Sequence, residues 1–66
     1  MDKIKRLSRA ACLAVTNIAP YTHHEAAEAV GDLRQALNDA PHEDKDGLAV
    51  LKLCEAILNA SAAASP

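Results

Sequence analysis

Residues 43–60 read EDKDGLAVLKLCEAILNA, and this stretch decides which fold class the sequence predicts. Its large apolar side chains recur every three or four residues, which is the period of an α-helix. They cover more than half of the helix circumference, so we expect this helix to touch more than one neighbour and to be the most buried element. These side chains are Leu48, Val50, Leu51, Leu53, Cys54, Ile57 and Leu58.

A first helix is predicted over residues 2–19, where apolar side chains follow a narrow helical seam. Asp2 can cap its amino end, and Pro20 ends it because proline disfavours a helical residue before it. Leu13 falls on the opposite side of this helix, where it is either a second contact surface or simply an exposed leucine. The seam consists of Ile4, Leu7, Ala11, Ala14 and Ile18.

A second helix is predicted over residues 23–39, and it has the clearest start signal in the chain. Thr22 and Glu25 form a capping box, in which each side chain accepts a hydrogen bond from the other residue's backbone amide. Gly31 lies inside this helix, where it is either tolerated or placed for the close approach of a neighbouring helix. Pro41 interrupts the pattern, and the acidic residues after it favour the amino end of the third helix, predicted over residues 43–60.

The sequence therefore predicts a single all-α domain over residues 1–66, built of three short amphipathic helices. Good helix formers dominate the composition, and no alternating run of β-branched or aromatic residues appears. Short loops favour an antiparallel hairpin of the second and third helices, with the first helix packed across it and a tail at residues 61–66.

Self-association is expected because a chain this short buries only about 60% of its unfolded surface. Chains of this size usually add disulfides, a metal or oligomerisation to stabilise a marginal core. We expect at least a homodimer, formed through the third helix and part of the first. The expected interface residues are Leu13, Leu48, Leu51 and Leu58.

Charge is distributed unevenly along the chain, although the formal net charge is only −2. Residues 1–9 carry four basic side chains and one acidic side chain, whereas the remainder carries three basic and eight acidic side chains. The basic cluster is either an ordinary solvated surface or a site that meets a phosphate, an acidic partner or another copy of the chain. Its members are the candidate ligand-binding or partner-binding residues Lys3, Lys5, Arg6 and Arg9.

Several functional classes find little support in the residue pattern. Direct DNA reading is disfavoured because the chain is net acidic and a helix-turn-helix arrangement would present Glu43 and Asp44 to phosphates. Metal binding is disfavoured because neither the histidines nor the cysteines have a zinc-ligand spacing. Cys12 and Cys54 are interpreted as reduced thiols that pack as small hydrophobes, although they could pair in an oxidising compartment. With no nucleophile elbow or glycine-rich phosphate loop, we expect no enzyme activity and no cofactor.

The third helix resembles a known family over residues 41–63. The matching positions are Pro41, Leu48-Ala49, Lys52-Leu53, Glu55-Ala56, Ala60 and Ala62-Ala63. At these positions the third helix is similar to the closing helix of helical-hairpin sponges of the anti-CBASS type. Phages use these sponges against bacterial cyclic-oligonucleotide immune signalling. Members of that family form homo-oligomers and bind cyclic di- or trinucleotides between subunits. This chain lacks the family's aromatic residue in that helix, so the resemblance implies a ligand class and assigns no binding residue.

Taken together, these patterns indicate a non-enzymatic binding protein. We expect a small oligomeric bacterial or phage inhibitor or adaptor that acts by occupying a partner protein. A phage sponge that sequesters cyclic oligonucleotide messengers is the alternative, and an auxiliary DNA-associated regulator is the second alternative. No segment approaches the ~20 apolar residues of a membrane span, and no export signal is recognised, so we expect a cytoplasmic protein.

Overall fold

The structure is a computed structural model, and it describes residues 3–17, 23–40 and 42–64. Three α-helices make up nearly all of these residues. In chain order they are α1 (Lys3–Thr16), α2 (His23–Asp39) and α3 (Lys45–Ala64), and the described residues contain no strand. Each helix contacts both of the others. The expected all-α class is therefore confirmed.

The observed helix bounds differ from the expected ones at both ends of α3. This helix begins two residues later than expected and continues through Ala64, into the segment that was expected to be a tail. The continuation follows from composition, because residues 60–64 are alanine apart from one serine and alanine is the best helix former. α2 spans the range expected for it. α1 ends at Thr16 and Asn17 lies in a turn, so the expectation that the first helix continues through Asn17 is wrong. The expected signals at Asp2, Pro20 and Thr22, and residues 18 and 19 of the expected first helix, lie outside the described residues.

Side chains close the carboxyl end of α1 and the amino end of α3. The Thr16 hydroxyl donates a hydrogen bond to the Cys12 carbonyl at 2.8 Å, and the Asn17 amide donates to the Leu13 carbonyl at 2.8 Å. Both side chains thus bond back to carbonyls of the last two turns of α1. At α3, the Asp44 carboxylate accepts a hydrogen bond from the Gly47 amide at 2.8 Å. Asp44 is therefore the N-cap, which explains why the helix begins at the next residue.

The core is built from small side chains that all three helices contribute. α2 supplies four of the buried apolar residues and α3 two, so the expectation that the third helix is the most buried element is wrong. Leu33 of α2 is completely buried, and the burial of such a leucine contributes about 2 kcal/mol to stability. Alanines are buried where α1 and α2 face each other, which lets the helix backbones come close together. The buried cluster consists of Ala11, Val15, Ala26, Val30, Leu33, Leu51 and Cys54.

Of the two alternatives considered for Gly31, the structure supports tolerance, and the close approach of helices is found at Gly47. A Cβ atom added at Gly31 would meet nothing within 4 Å, so that glycine is merely tolerated. A Cβ atom at Gly47 would lie 2.8 Å from Cδ2 of Leu37 in α2 and 3.1 Å from Cγ2 of Ile4 in α1. Gly47 is therefore the position at which all three helices meet, and the absence of a side chain there makes room for Leu37 and Ile4.

The two helical glycines form a matched pair for testing this close approach. We expect Gly31→Ala to raise the free energy of unfolding by up to ~1 kcal/mol, because the new methyl group lies in open space and alanine favours a helix. We expect Gly47→Ala to lower it by about 1 kcal/mol, because Leu37 and the branched side chain of Ile4 must both move. Urea unfolding followed by circular dichroism measures both values. A Gly47→Ala protein at least as stable as Gly31→Ala would contradict the packing described.

Candidate functional site

The outer face of α3 exposes a row of apolar side chains. Leu53 is 59% exposed, although it belongs to the most apolar helix of the chain. Three exposed alanines, Ala49, Ala56 and Ala60, share its face at successive spacings of four, three and four residues. We call these four residues the outer face of α3. It lies opposite the side on which Leu51 and Cys54 enter the core.

The leucines expected at an interface are divided between the surface and the core. Leu13 is 58% exposed on α1 and Leu48 is 36% exposed near the start of α3. Leu58 is partly buried against the core, and Leu51 is a member of the buried cluster at 8% exposure. Leu51 therefore has little surface to offer a partner.

Sequence reasoning placed Leu53 in the apolar arc but not at an interface. Leu53 lies two positions after Leu51, so it is rotated by roughly 160° to the far side of the helix. This opposition means that only one of the two leucines can enter the core, and the sequence pattern does not indicate which of them faces outward.

A groove of about 350 Å³ runs between α1 and the start of α3. One wall carries Lys5 and Arg9, which lie one helical turn apart, and the other wall carries Asp44 and Asp46. The structure thus brings two of the four candidate basic residues together. Lys3 and Arg6 are also exposed but do not line this groove. Lys5 and Arg9 therefore have acidic neighbours within the same molecule.

The electrostatics of this groove suit a phosphate poorly. The amino end of a helix ordinarily attracts an anion, because its first amides lack partners within the helix. Here the Asp44 carboxylate already accepts from the Gly47 amide, so that donor is occupied. A neighbouring hollow of about 500 Å³ continues around the start of α3 and adds Glu43 to the carboxylates. An incoming phosphate would therefore meet negative charge beside Lys5 and Arg9.

The residues considered as metal ligands are scattered, apart from the cysteines. The part of the chain that the structure describes holds no group of three histidine, cysteine or acidic side chains that could bind a metal ion. His24 lies 3.6 Å from the Glu28 carboxylate on the exposed side of α2. Cys12 of α1 and Cys54 of α3, in contrast, come together with their Sγ atoms 4.0 Å apart. Both are free thiols.

One ion pair links α2 to α3 at the surface. The Arg34 guanidinium donates a hydrogen bond to the Glu55 carboxylate, and both side chains remain accessible to water. Exposed ion pairs of this kind contribute at most about 1 kcal/mol, because water and salt screen the charges. This contact helps to orient the helices and is a minor term in their stability.

Comparison with known protein families, with characterised proteins and with solved structures finds no match for this chain. Among the helices of the described ranges, none combines the length and the apolar character that crossing a lipid bilayer requires. The functional assignment therefore rests on the geometry of the chain itself.

The Asp44 cap supports both the groove and the first turn of α3. We expect Asp44→Ala to lower the free energy of unfolding by about 1 kcal/mol, because the Gly47 amide loses its acceptor. Asp44→Asn should cost less, since the asparagine side chain retains an oxygen that can accept the same bond. Thermal and urea unfolding give both values, and Asp46→Asn in the exposed first turn serves as the control. Equal losses for Asp44→Ala and Asp44→Asn would exclude the cap as the cause.

Proposed function

We propose that this chain is a non-enzymatic helical binding protein that pairs with a second copy through the outer face of α3 and then occupies the surface of a partner protein. The observation that carries the proposal is Leu53, which is 59% exposed in the middle of an apolar row. The opposite side of the same helix forms part of the core. A helix that is apolar on both sides normally has neighbours on both sides.

The spacing along the outer face of α3 favours a second copy of the same chain as its occupant. The order Ala49, Leu53, Ala56 and Ala60 is symmetric, because the spacings read four, three and four in either direction. A twofold axis between Leu53 and Ala56 would therefore set each Leu53 against Ala56 of the partner subunit. Ala49 would face Ala60 of the partner subunit in the same way. Such self-complementarity is what a twofold interface requires.

The charge of the outer face of α3 also favours this pairing. The four residues of the face carry no charge, so two copies can meet there without like-charge repulsion.

The outer side of α1 is the surface that we assign to a partner protein. Arg6, Arg9 and Leu13 are all exposed, and their spacings of three and four residues place them on one face of the helix. Arginine beside a large apolar side chain is a typical combination at protein interfaces. The expected partner surface is therefore apolar with acidic groups around it. Leu13 moves from the self-association expected of it to this second surface, because it lies on a different helix from the symmetric row.

The alternative function, a sponge for cyclic oligonucleotides, draws support from one coincidence. All four residues of the outer face of α3 belong to the positions that resemble the phage sponges, whose ligands bind between subunits. The carboxylates of Asp44 and Asp46 argue against a sponge, because they lie in the same groove as Lys5 and Arg9. A cyclic dinucleotide that raised the melting temperature in wild type, with the rise lost in Arg9→Ala, would favour the sponge over the protein inhibitor.

Leu53 and Leu13 provide a matched test of the pairing, since their exposures are 59% and 58%. We expect Leu53→Asp to abolish dimer formation, because pairing would bury a carboxylate in an apolar contact. Leu13→Asp should still form dimers, because that side chain lies outside the symmetric row. Both changes replace exposed side chains, so each variant should remain folded by circular dichroism. Light scattering after size-exclusion chromatography measures the mass of each.

Two results of this experiment would count against the proposed pairing. One is a wild-type chain that stays monomeric up to millimolar concentration. The other is a Leu13→Asp variant that loses dimers as completely as Leu53→Asp, which would place the interface on α1 as well. If the dimer is confirmed, binding of a partner protein is tested separately, because Leu13→Asp should then weaken that binding in a chain that still pairs.

A further inference from the structure

Two cysteines far apart in the sequence meet between α1 and α3. Cys12 and Cys54 are separated by 42 positions, and their Sγ atoms lie 4.0 Å apart, with one thiol placed to donate a weak hydrogen bond to the other. Cys54 belongs to the buried cluster at 1% exposure, whereas Cys12 is half-buried and packs against that cluster. A contact between the only two thiols of the chain is more specific than the packing of two small apolar side chains requires.

We propose that Cys12 and Cys54 are a redox modification site, at which a peroxide converts the two thiols into an intramolecular disulfide that joins α1 to α3. A disulfide bond is about 2.05 Å long, so the two Sγ atoms must approach each other by about 2 Å. Each sulfur therefore has to move by about 1 Å. Rotation about the Cα–Cβ bond of each cysteine moves its sulfur. The two side chains, one on each helix, can therefore each supply half of the approach.

The environments of the two thiols assign them different steps in the oxidation. Burial raises the pKa of the Cys54 thiol to about 11, and its hydrogen bond with Cys12 and the charge that Cys12 acquires add to this rise. Cys54 therefore stays protonated near neutral pH, and the half-buried Cys12 is the sulfur that peroxide reaches first. The thiolate, not the thiol, is the attacking species in this chemistry.

The reaction balances with hydrogen peroxide as the oxidant. The Cys12 thiolate attacks one peroxide oxygen, the O–O bond breaks, and the products are Cys12 sulfenic acid and hydroxide. The hydroxide released in this step takes the proton of the Cys54 thiol and becomes water. The Cys54 thiolate then attacks the Cys12 sulfur and displaces hydroxide, which becomes the second water by taking up the proton that Cys12 had lost. Each cysteine sulfur has lost one electron, and the peroxide has become two molecules of water. A thiol reductant of the glutathione type reverses the change by exchange.

The disulfide would stabilise the fold without covering either binding surface. It would close a long loop between α1 and α3, and cross-links of this kind restrict the unfolded chain most when the loop is long. We expect the melting temperature to rise by roughly 10 °C or more on oxidation. Leu53 and Leu13 neighbour the two cysteines in sequence, yet both are exposed, so the outer surfaces stay accessible in the oxidised chain.

Peptide mapping of the folded chain after exposure to hydrogen peroxide tests the proposal. Trypsin cleaves after Arg9, Arg34 and Lys52, so the two cysteines fall on separate peptides, 10–34 and 53–66. We expect a covalently joined pair of these peptides, formed within one chain and separated again by dithiothreitol. The Cys54→Ala variant should instead hold Cys12 as sulfenic acid, which dimedone traps, and Cys12→Ala should react far more slowly than wild type.

Three results would overturn the proposal. The first is the absence of the joined peptides from folded wild type after peroxide. The second is a cross-link that connects two chains through Cys12 of each, which a mixture of isotope-labelled and unlabelled chains reveals. The third is a disulfide that forms only in denaturant, which would mean that the folded contact does not promote it. Because wild type is mapped directly, these outcomes stand even if an alanine variant is poorly folded.

Discussion

The fold depends on one constraint: α3 is apolar around most of its circumference, and its two neighbours in the chain cover only one side of it. Leu51 and Cys54 enter the core between α1 and α2, where they are buried. Leu53 points the other way and is mostly exposed. Small helical bundles have little core to spare, so an uncovered leucine in the middle of the most apolar helix is a strong reason to look for a second molecule. The pairing that we propose satisfies this constraint with the residues already present.

The junction around Gly47 determines which side of α3 faces the core. The Asp44 cap sets the first residue of the helix, and Gly47 removes the side chain that would otherwise meet Leu37 and Ile4. Once the first turn of α3 packs between α1 and α2, the helical period determines whether each later side chain faces the core or the solvent. The alignment of the outer face, the meeting of the two thiols and the groove beside Lys5 all follow from that rotation.

The sequence alone was sufficient for the fold class, because helical periodicity and strong helix formers pointed to the same result. It was insufficient for the rotation of α3, because the apolar arc included both Leu51 and Leu53 and gave no reason to choose between them. The two glycines were ambiguous for a similar reason. A close approach depends on what lies opposite, so the pattern left the role of Gly31 open and did not identify that of Gly47. The uneven charge likewise left open whether Lys5 and Arg9 are simply solvated or meet an external partner, and it did not predict that acidic residues of α3 share their groove.

The most direct test of the central claim is a search for contacts between copies by isotope-filtered nuclear magnetic resonance. The sample is an equal mixture of ¹³C-labelled and unlabelled chains. A filter keeps only the nuclear Overhauser effects between a proton of a labelled chain and a proton of an unlabelled chain, and these report contacts between two molecules. Pairing through the outer face of α3 predicts such effects between the Leu53 methyl groups of one chain and the Ala56 methyl group of the other, with a matching set between Ala49 and Ala60. Intermolecular effects confined to Leu13, or none at millimolar concentration, would contradict it.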